Sequence, residues 1–287
     1  MSDDGQHGLT LIAFVGSVFS PYYRWARQHG RRNPEDHCAL NVALYGRAAK
    51  RWTMTERGQR HCHRDRSQLV IGPSQLDWDG QCLHVRFDEV GVPWPHRVRG
   101  HVRVWPKRLF DYSVALDEAG RHRWGPIAPH AHVEVELESP NLRWHGHAYV
   151  DSNEGDEPID AGFVNWDWSR TPWPDGSTEV IYDLQWSPTQ ERLMRLRFAP
   201  DGSVEPLPET PVQTLPKTAW RIARRMRSDQ AVRIHSQLED TPFYQRSLLS
   251  HRVMQQDTLA FHETLSVPRL VSPVVQAMLP WRMPRRA

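Results

Sequence analysis

Hydrophobicity in this chain repeats every second residue. In HVEVELE, Val133, Val135 and Leu137 face one way along an extended backbone and Glu134, Glu136 and Glu138 face the other. Strand side chains alternate between faces, so this pattern predicts an antiparallel strand with one face buried and one wet. The same period returns at Leu40, Val42 and Leu44, at Leu83, Val85 and Phe87, and at Val102 and Val104. It recurs at Leu196 and Phe198, at Val232 and Ile234, and at Leu259 and Phe261. Between the runs, 23 Pro and 17 Gly leave little length for helices. SPYYRWARQ is the exception, a short helix with Ser20 as N-cap and Pro21 at the first helical position. Turn signals fall at Asp79-Gly80, Glu118-Ala119-Gly120, Asp175-Gly176 and Asp201-Gly202. Many short strands separated by turns predict an all-β fold, sandwich or barrel. The acidic, turn-rich stretch NEGDEPIDAG separates two strand-rich halves, which predicts β domains over 1–160 and 161–287.

Other features narrow the function. At 287 residues, with 24% charged and 39% hydrophobic side chains, the chain is neither a disordered tail nor a polytopic membrane protein. A net charge of +2 offers no basic field for nucleic acid. The charge-free run from Gly8 to Tyr23 follows Asp3 and Asp4, where a signal peptide carries Lys or Arg, and reads as a buried strand. Cys38, Cys62 and Cys82 form no CxxC pair, and their odd number argues for a reducing cytoplasm over a disulfide framework. No GxGxxG, GxxxxGK[ST] or GxSxG string is present, so neither a nucleotide cofactor nor an elbow serine is called for. Three His-x-His pairs, His61/His63, His130/His132 and His145/His147, could each turn two imidazoles to one metal. They lack an obvious third ligand, and 16 His generate such pairs by chance, so no metal is assigned.

The aromatic residues are unusual. Trp, at 13, outnumbers both Phe (8) and Tyr (7). The densest aromatic and polar region runs from His122 to Trp168. On extended backbone His122 and Trp124 of RHRW share a face, as do Tyr149 and Asp151 of AYVDSN. On neighbouring strands the four would converge, and a carboxyl group among aromatics holds its proton, which suits Asp151 to general-acid work. The other reading leaves Trp124 and Tyr149 as core, with Asp151 capping the turn at Ser152-Asn153. The residues alone leave both open.

Longer strings carry a resemblance. AFVGSVFSPYYRWAR, HCALNVALYG, RWTMTERG, LVIGPSQLDWDG, RHRWGPIAP, YVDSNEGDEP, WDWSR, LEDTPFYQRS and VVQAMLPWRMPRR resemble the carotenoid 1,2-hydratase (hydroxyneurosporene synthase) family, over nearly the whole chain. The resemblance implies two lipocalin-like antiparallel β-barrel or sandwich domains with few short helices. It implies cofactor-free addition of water to the terminal C1=C2 bond of acyclic carotenes such as neurosporene, lycopene and their 1-hydroxy derivatives. The family's HxW and YxD strings match His122 and Trp124, and Tyr149 and Asp151; His132 stands where the family pattern leads us to expect Arg.

On that basis Asp151 is the expected proton donor and His122 its hydrogen-bonding partner. Trp124 and Tyr149 would face the tertiary cation, or Tyr149 would orient the water. Trp144, Trp166 and Trp168 are expected to bind substrate, with Trp78, Trp94, Trp105 and Trp173 as further lining candidates. The substrate dissolves in membrane, so a peripheral place on the inner or photosynthetic membrane is expected. The C-terminal VSPVVQAMLPWRMPRRA is either the part that rests on the membrane or a tail packed on its domain. Two rivals remain: a non-catalytic lipocalin-like carrier of a hydrophobic ligand, and a glycan-active β-protein.

Overall fold

In a computed structural model, which describes residues 1–46, 50–187 and 189–286, the alternating segments are strands. In chain order they begin with β1 (His7–Val15), α1 (Pro21–Gln28), β2 (Cys38–Gly46), β3 (Arg51–Arg57), β4 (Cys62–Arg64) and β5 (Gln68–Ile71). There follow β6 (Ser74–Trp78), β7 (Leu83–Val90), β8 (Arg97–Pro106), β9 (Val114–Ala115), β10 (His122–Ser139) and β11 (Leu142–Gly155). After α2 (Ile159–Gly162) come β12 (Asn165–Pro172), β13 (Thr178–Ser187), β14 (Gln190–Phe198), β15 (Val204–Pro206) and β16 (Val212–Leu215). The chain continues with β17 (Arg224–Arg227), β18 (Arg233–Asp240), β19 (Tyr244–Val253) and β20 (Gln256–Ser266). It ends in α3 (Val267–Leu270), α4 (Pro273–Met278) and β21 (Arg285–Arg286).

The fold is all-β. One sheet has the order β1-β2-β3-β21; another runs β11-β10-β8-β7-β6-β5-β4, with β9 also on β10. A third runs β15-β14-β13-β12-β20-β19-β18, and β16 pairs β17 alone. Among the described residues none of these sheets closes into a barrel, and sandwich is the form of the expectation that fits. The chain divides into two compact units, each discontinuous in sequence. Unit 1 comprises Met1–Lys107, Ala131–Tyr149 and Gln276–Ala287; unit 2 comprises Arg108–His130 and Val150–Val275. Strands β10 and β11 contribute a segment to each.

Local physics explains the elements. In HVEVELE the apolar residues are at most 4% exposed, while Glu134 and Glu136 reach Arg103 at 2.7 and 2.6 Å. Strand β2 is different: it lies between β1 and β3 and is buried on both faces, its one amide, Asn41, donating to the Thr53 carbonyl at 2.9 Å. The charge-free run is a strand as far as Val15, but an edge strand and mostly half-buried. Helix α1 starts where the spacing places it, with Ser20 Oγ accepting the Tyr23 N–H at 2.8 Å.

In unit 2, β12 and β13 divide chemistry between their faces. Trp166 lies opposite Leu184, and Trp168 opposite Tyr182, on one face. Asp167 lies opposite both Asp183 and Thr264 on the other. The hairpin β16–β17 meets this polar face: Arg225 and Arg227 reach Asp183 at 2.6 and 2.8 Å. Burial first, then the neighbouring Asp183, pushes the Asp167 carboxyl up to about 7, although the Thr264 hydroxyl donates to it at 2.5 Å. Burial holds His262, 3.9 Å from Asp167, down to about 4. No helix among the described residues is long and apolar enough to cross a membrane.

Candidate active site

Trp124 sits near the start of β10, where the strand also pairs with β9, and is only 1% exposed. A buried indole needs a partner for its N–H. Trp124 Nε1 donates to Asp151 Oδ2 at 3.0 Å, so the partner shown on Asp151 is the indole, where His122 is the partner expected from sequence. Asp151 itself is half-buried. Tyr182 packs on the indole at a centroid distance of 4.9 Å, and Phe198 and Tyr112 meet it edge-on at 5.9 and 6.5 Å.

Behind this pair lies an aromatic layer built by the apolar face of β12 and β13. Tyr182 touches Trp166 at 5.4 Å and Trp168 at 6.5 Å, and Phe163 joins Trp166 at 5.1 Å. The Tyr182 hydroxyl donates to Asn153 Oδ1 at 3.2 Å. Burial, and secondly the charge of Asp151, keep this phenol protonated well above its ordinary range.

His122 lies two residues before Trp124 on the same face but among other neighbours. Its ring meets Phe163 edge-on at 4.9 Å, and Nε2 is 3.7 Å from Glu157 Oε1, beyond hydrogen-bond reach. Arg121 holds the other Glu157 oxygen at 2.5 Å. The seat is shaped by glycine: a Cβ on Gly155 or Gly162 would stand 3.0 Å from the imidazole. Burial lowers the His122 pKa, against the pull of Asp117 and Glu157, so the ring is neutral at neutral pH.

Of the remaining sequence candidates, Tyr149 precedes Asp151 by two residues on β11, is half-buried and is the last residue of that segment of unit 1. Trp144 is half-buried on the unit 1 part of β11, whereas Trp166 and Trp168 belong to the layer around Tyr182. Tyr182, Phe163, Asn153 and Glu157 were not singled out from sequence. Strand alternation puts Tyr182 on an inward face, but nothing in STEVIYDLQWS says which strand it meets.

A hollow of ≈160 Å³ lies on the opposite face of the β10–β11 hairpin, lined by Arg123, Gly125, Ile127, Ser152 and Glu154 among others. Phe110 and Tyr112 line it beside these residues, and it is far smaller than a long polyene requires. Among the described residues no group of three or more His, Cys, Asp or Glu side chains is placed to hold a metal ion. Of the His-x-His pairs, His145 and His147 meet Asp3 at 2.8 and 3.4 Å, and His130 meets the Phe198 carbonyl at 3.1 Å.

Residues 11–287 match the family model described as carotenoid hydratase CrtC. The acyclic carotenoid 1,2-hydratase of Rubrivivax gelatinosus is 57% identical over 291 residues, spanning 100% of this chain and 72% of that protein. That of Thiocapsa roseopersicina is 51% identical over 288 residues, spanning 99% and 71%. That of Cereibacter sphaeroides is 37% identical over 279 residues, spanning 96% and 98%. No solved structure matches the chain.

Proposed function

This chain belongs to the carotenoid hydratase family, and from that premise we propose that it adds water to the terminal C1=C2 bond of acyclic carotenes in carotenoid biosynthesis. Neurosporene, lycopene and their 1-hydroxy derivatives are the proposed substrates. The observation that carries the reading is the Trp124 N–H on Asp151 Oδ2, with Tyr182 packed against the indole.

In the reacting form Asp151 carries a proton, which removes the charge it otherwise sets beside Tyr182. Trp124 holds Oδ2, and the carboxyl passes its proton to C2 of the alkene. The π electrons form the C2–H bond, and a tertiary cation is left at C1. Water attacks C1, and the proton it sheds returns to Asp151 by way of His122, so acid and water balance over the cycle. His122 suits that role because burial keeps it neutral and able to accept a proton. The Trp124 N–H stabilises the carboxylate as it forms, a gain made in the transition state and not in the ground state. Tyr149, two residues from Asp151, orients the water or turns its ring to the cation; a cation–π contact contributes about 0.5–2 kcal/mol. Trp166 and Trp168 supply apolar wall for the polyene, with Trp144 a further binding residue. No cofactor enters the scheme.

Such a substrate has to be met at a bilayer, and we place the protein peripherally on the membrane that holds its carotenes. Trp281 and Trp94 support this, being 76% and 74% exposed.

The test uses purified protein, lycopene in detergent and ¹⁸O-labelled water, without added cofactor. The expected product is a tertiary alcohol carrying ¹⁸O at C1, and deuterium at C2 when the solvent is heavy water. Asp151→Asn is expected to lower turnover by about 100-fold or more. Near wild-type hydration by that variant would remove Asp151 as the acid. Stoichiometric carotene uptake without label would favour the carrier.

A further inference from the structure

Strand β13 carries Val180, Tyr182 and Leu184 on one face, all at most 1% exposed. Only the tyrosine brings a polar atom inward. A phenol buried this deeply has to satisfy its hydroxyl, and Tyr182 does so on Asn153, two residues beyond Asp151 on β11. Its ring meets Trp124 at 4.9 Å, Trp166 at 5.4 Å and Trp168 at 6.5 Å. Strand β13 belongs to the seven-stranded sheet, while β10 and β11 belong to the sheet with β8. Within unit 2, one side chain therefore ties the two sheets together beside the acid. Trp124 cannot keep its N–H on Asp151 unless something fixes the plane of the indole, and Tyr182 is the nearest of the three rings that pack on it.

We infer that Tyr182 is a positioning residue of the hydratase site: its ring holds the Trp124 indole in the orientation that hydrogen-bonds Asp151, and its hydroxyl fastens Asn153 on the acid-bearing strand. The inference rests on the hydratase reading. It assigns the larger effect to the ring, because the indole it supports contacts the acid directly, and the smaller to the hydroxyl, which acts two residues away.

The test compares wild type, Tyr182→Phe, Tyr182→Leu and Leu249→Ala by lycopene hydration, with near-ultraviolet circular dichroism to establish the folded fraction. Leu249 is fully buried with Leu215, Met226 and Ala260 and serves as a control for lost core packing. Tyr182→Phe is expected to keep kcat within about threefold. Tyr182→Leu is expected to lose kcat on the order of 30-fold with KM within about threefold, because a misplaced acid slows chemistry and leaves binding intact. Leu249→Ala is expected to melt earlier yet keep kcat within about twofold per folded molecule. Should the leucine variant not fold, Tyr182→Met fills similar volume without an aromatic face and is judged by the same limits. An active wild type beside a folded leucine or methionine variant with kcat within threefold would overturn the inference and leave Tyr182 as packing. Equal losses in the phenylalanine and leucine variants would also overturn it, since the hydroxyl would then be the group used. An inactive wild type would instead count against the hydratase reading.

Discussion

One hydrogen bond, from Trp124 Nε1 to Asp151 Oδ2, gives the indole a role that its π face alone does not. The N–H acts on the acid; the ring face would act on the cation, and one substitution separates them. Trp124→Phe keeps an aromatic face and removes the donor. A hydrogen bond to a charged group is worth about 1.5–3 kcal/mol, so kcat is expected to fall roughly 10- to 100-fold with KM little changed. Steady-state kinetics on lycopene would check this, and a loss below twofold would return Trp124 to the face-only role. Sequence reached the pair because period two fixes which residues share a strand face, and Trp124 and Asp151 need only neighbouring strands to meet. It did not reach Tyr182, whose partners depend on which sheet β13 belongs to. Nor did it reach Glu157, 3.7 Å from His122 Nε2, which lies past the end of β11 where alternation stops.

The polar face of the β12–β13 pair makes a different demand on the elements. Strand β17 lays Arg225 and Arg227 over Asp183, with Arg225 3.7 Å from Asp167, so ion pairs hold the hairpin alongside the apolar packing of Leu215 and Met226. Asp167, raised to about 7, keeps its proton in the folded state through a range where the unfolded chain, with an ordinary carboxyl near 3.8, has lost it. The folded state then binds more protons, and stability falls as pH rises from about 4 to about 7. Asp167→Asn removes this dependence, whereas His262, common to both proteins, cancels from the difference to first order. Relative to wild type, the variant is expected to gain on the order of 2 kcal/mol between pH 5 and pH 8. Urea midpoints at the two pH values would check the sign, and a difference independent of pH would mean that Asp167 is ionised throughout. Alternation made the strands and their faces legible, as Val133, Val135 and Leu137 show. It misleads at β2, where Leu40, Val42 and Leu44 alternate with Ala39, Asn41 and Ala43 that are buried as well. Which faces are covered depends on sheet order, and sheet order is a property of long-range pairing.

Membrane engagement belongs to the whole molecule, and the C-terminal segment shows why truncation is the wrong probe of it. Leu279 and Met283 are buried, β21 pairs with β3 at Glu56 and Arg57, and Arg285 makes an ion pair with Glu56, whose carboxylate also meets His37 at 2.8 Å. Deleting the segment would strip a sheet edge and leave a buried carboxylate without its cation. Arg285→Ala alone is expected to destabilise the protein by about 2 kcal/mol, seen as a lower melting temperature. The other side of the segment faces solvent. Met278 is 40% and Trp281 76% exposed, and the Arg282 guanidinium reaches the Val92 carbonyl of the loop that carries the exposed Trp94. Indoles prefer the boundary between headgroups and acyl chains, where the ring is desolvated and the N–H stays wet. Trp281→Ser is therefore expected to weaken co-sedimentation with phosphatidylcholine–phosphatidylglycerol vesicles roughly fivefold or more while leaving the melting temperature unchanged. Hydration of detergent-dispersed lycopene should be unaffected by the same change, because no bilayer has to be met in that assay. Vesicle binding equal to wild type would move the membrane-facing surface elsewhere, and a parallel loss of turnover in detergent would show that Trp281 serves the fold or the site instead of the bilayer.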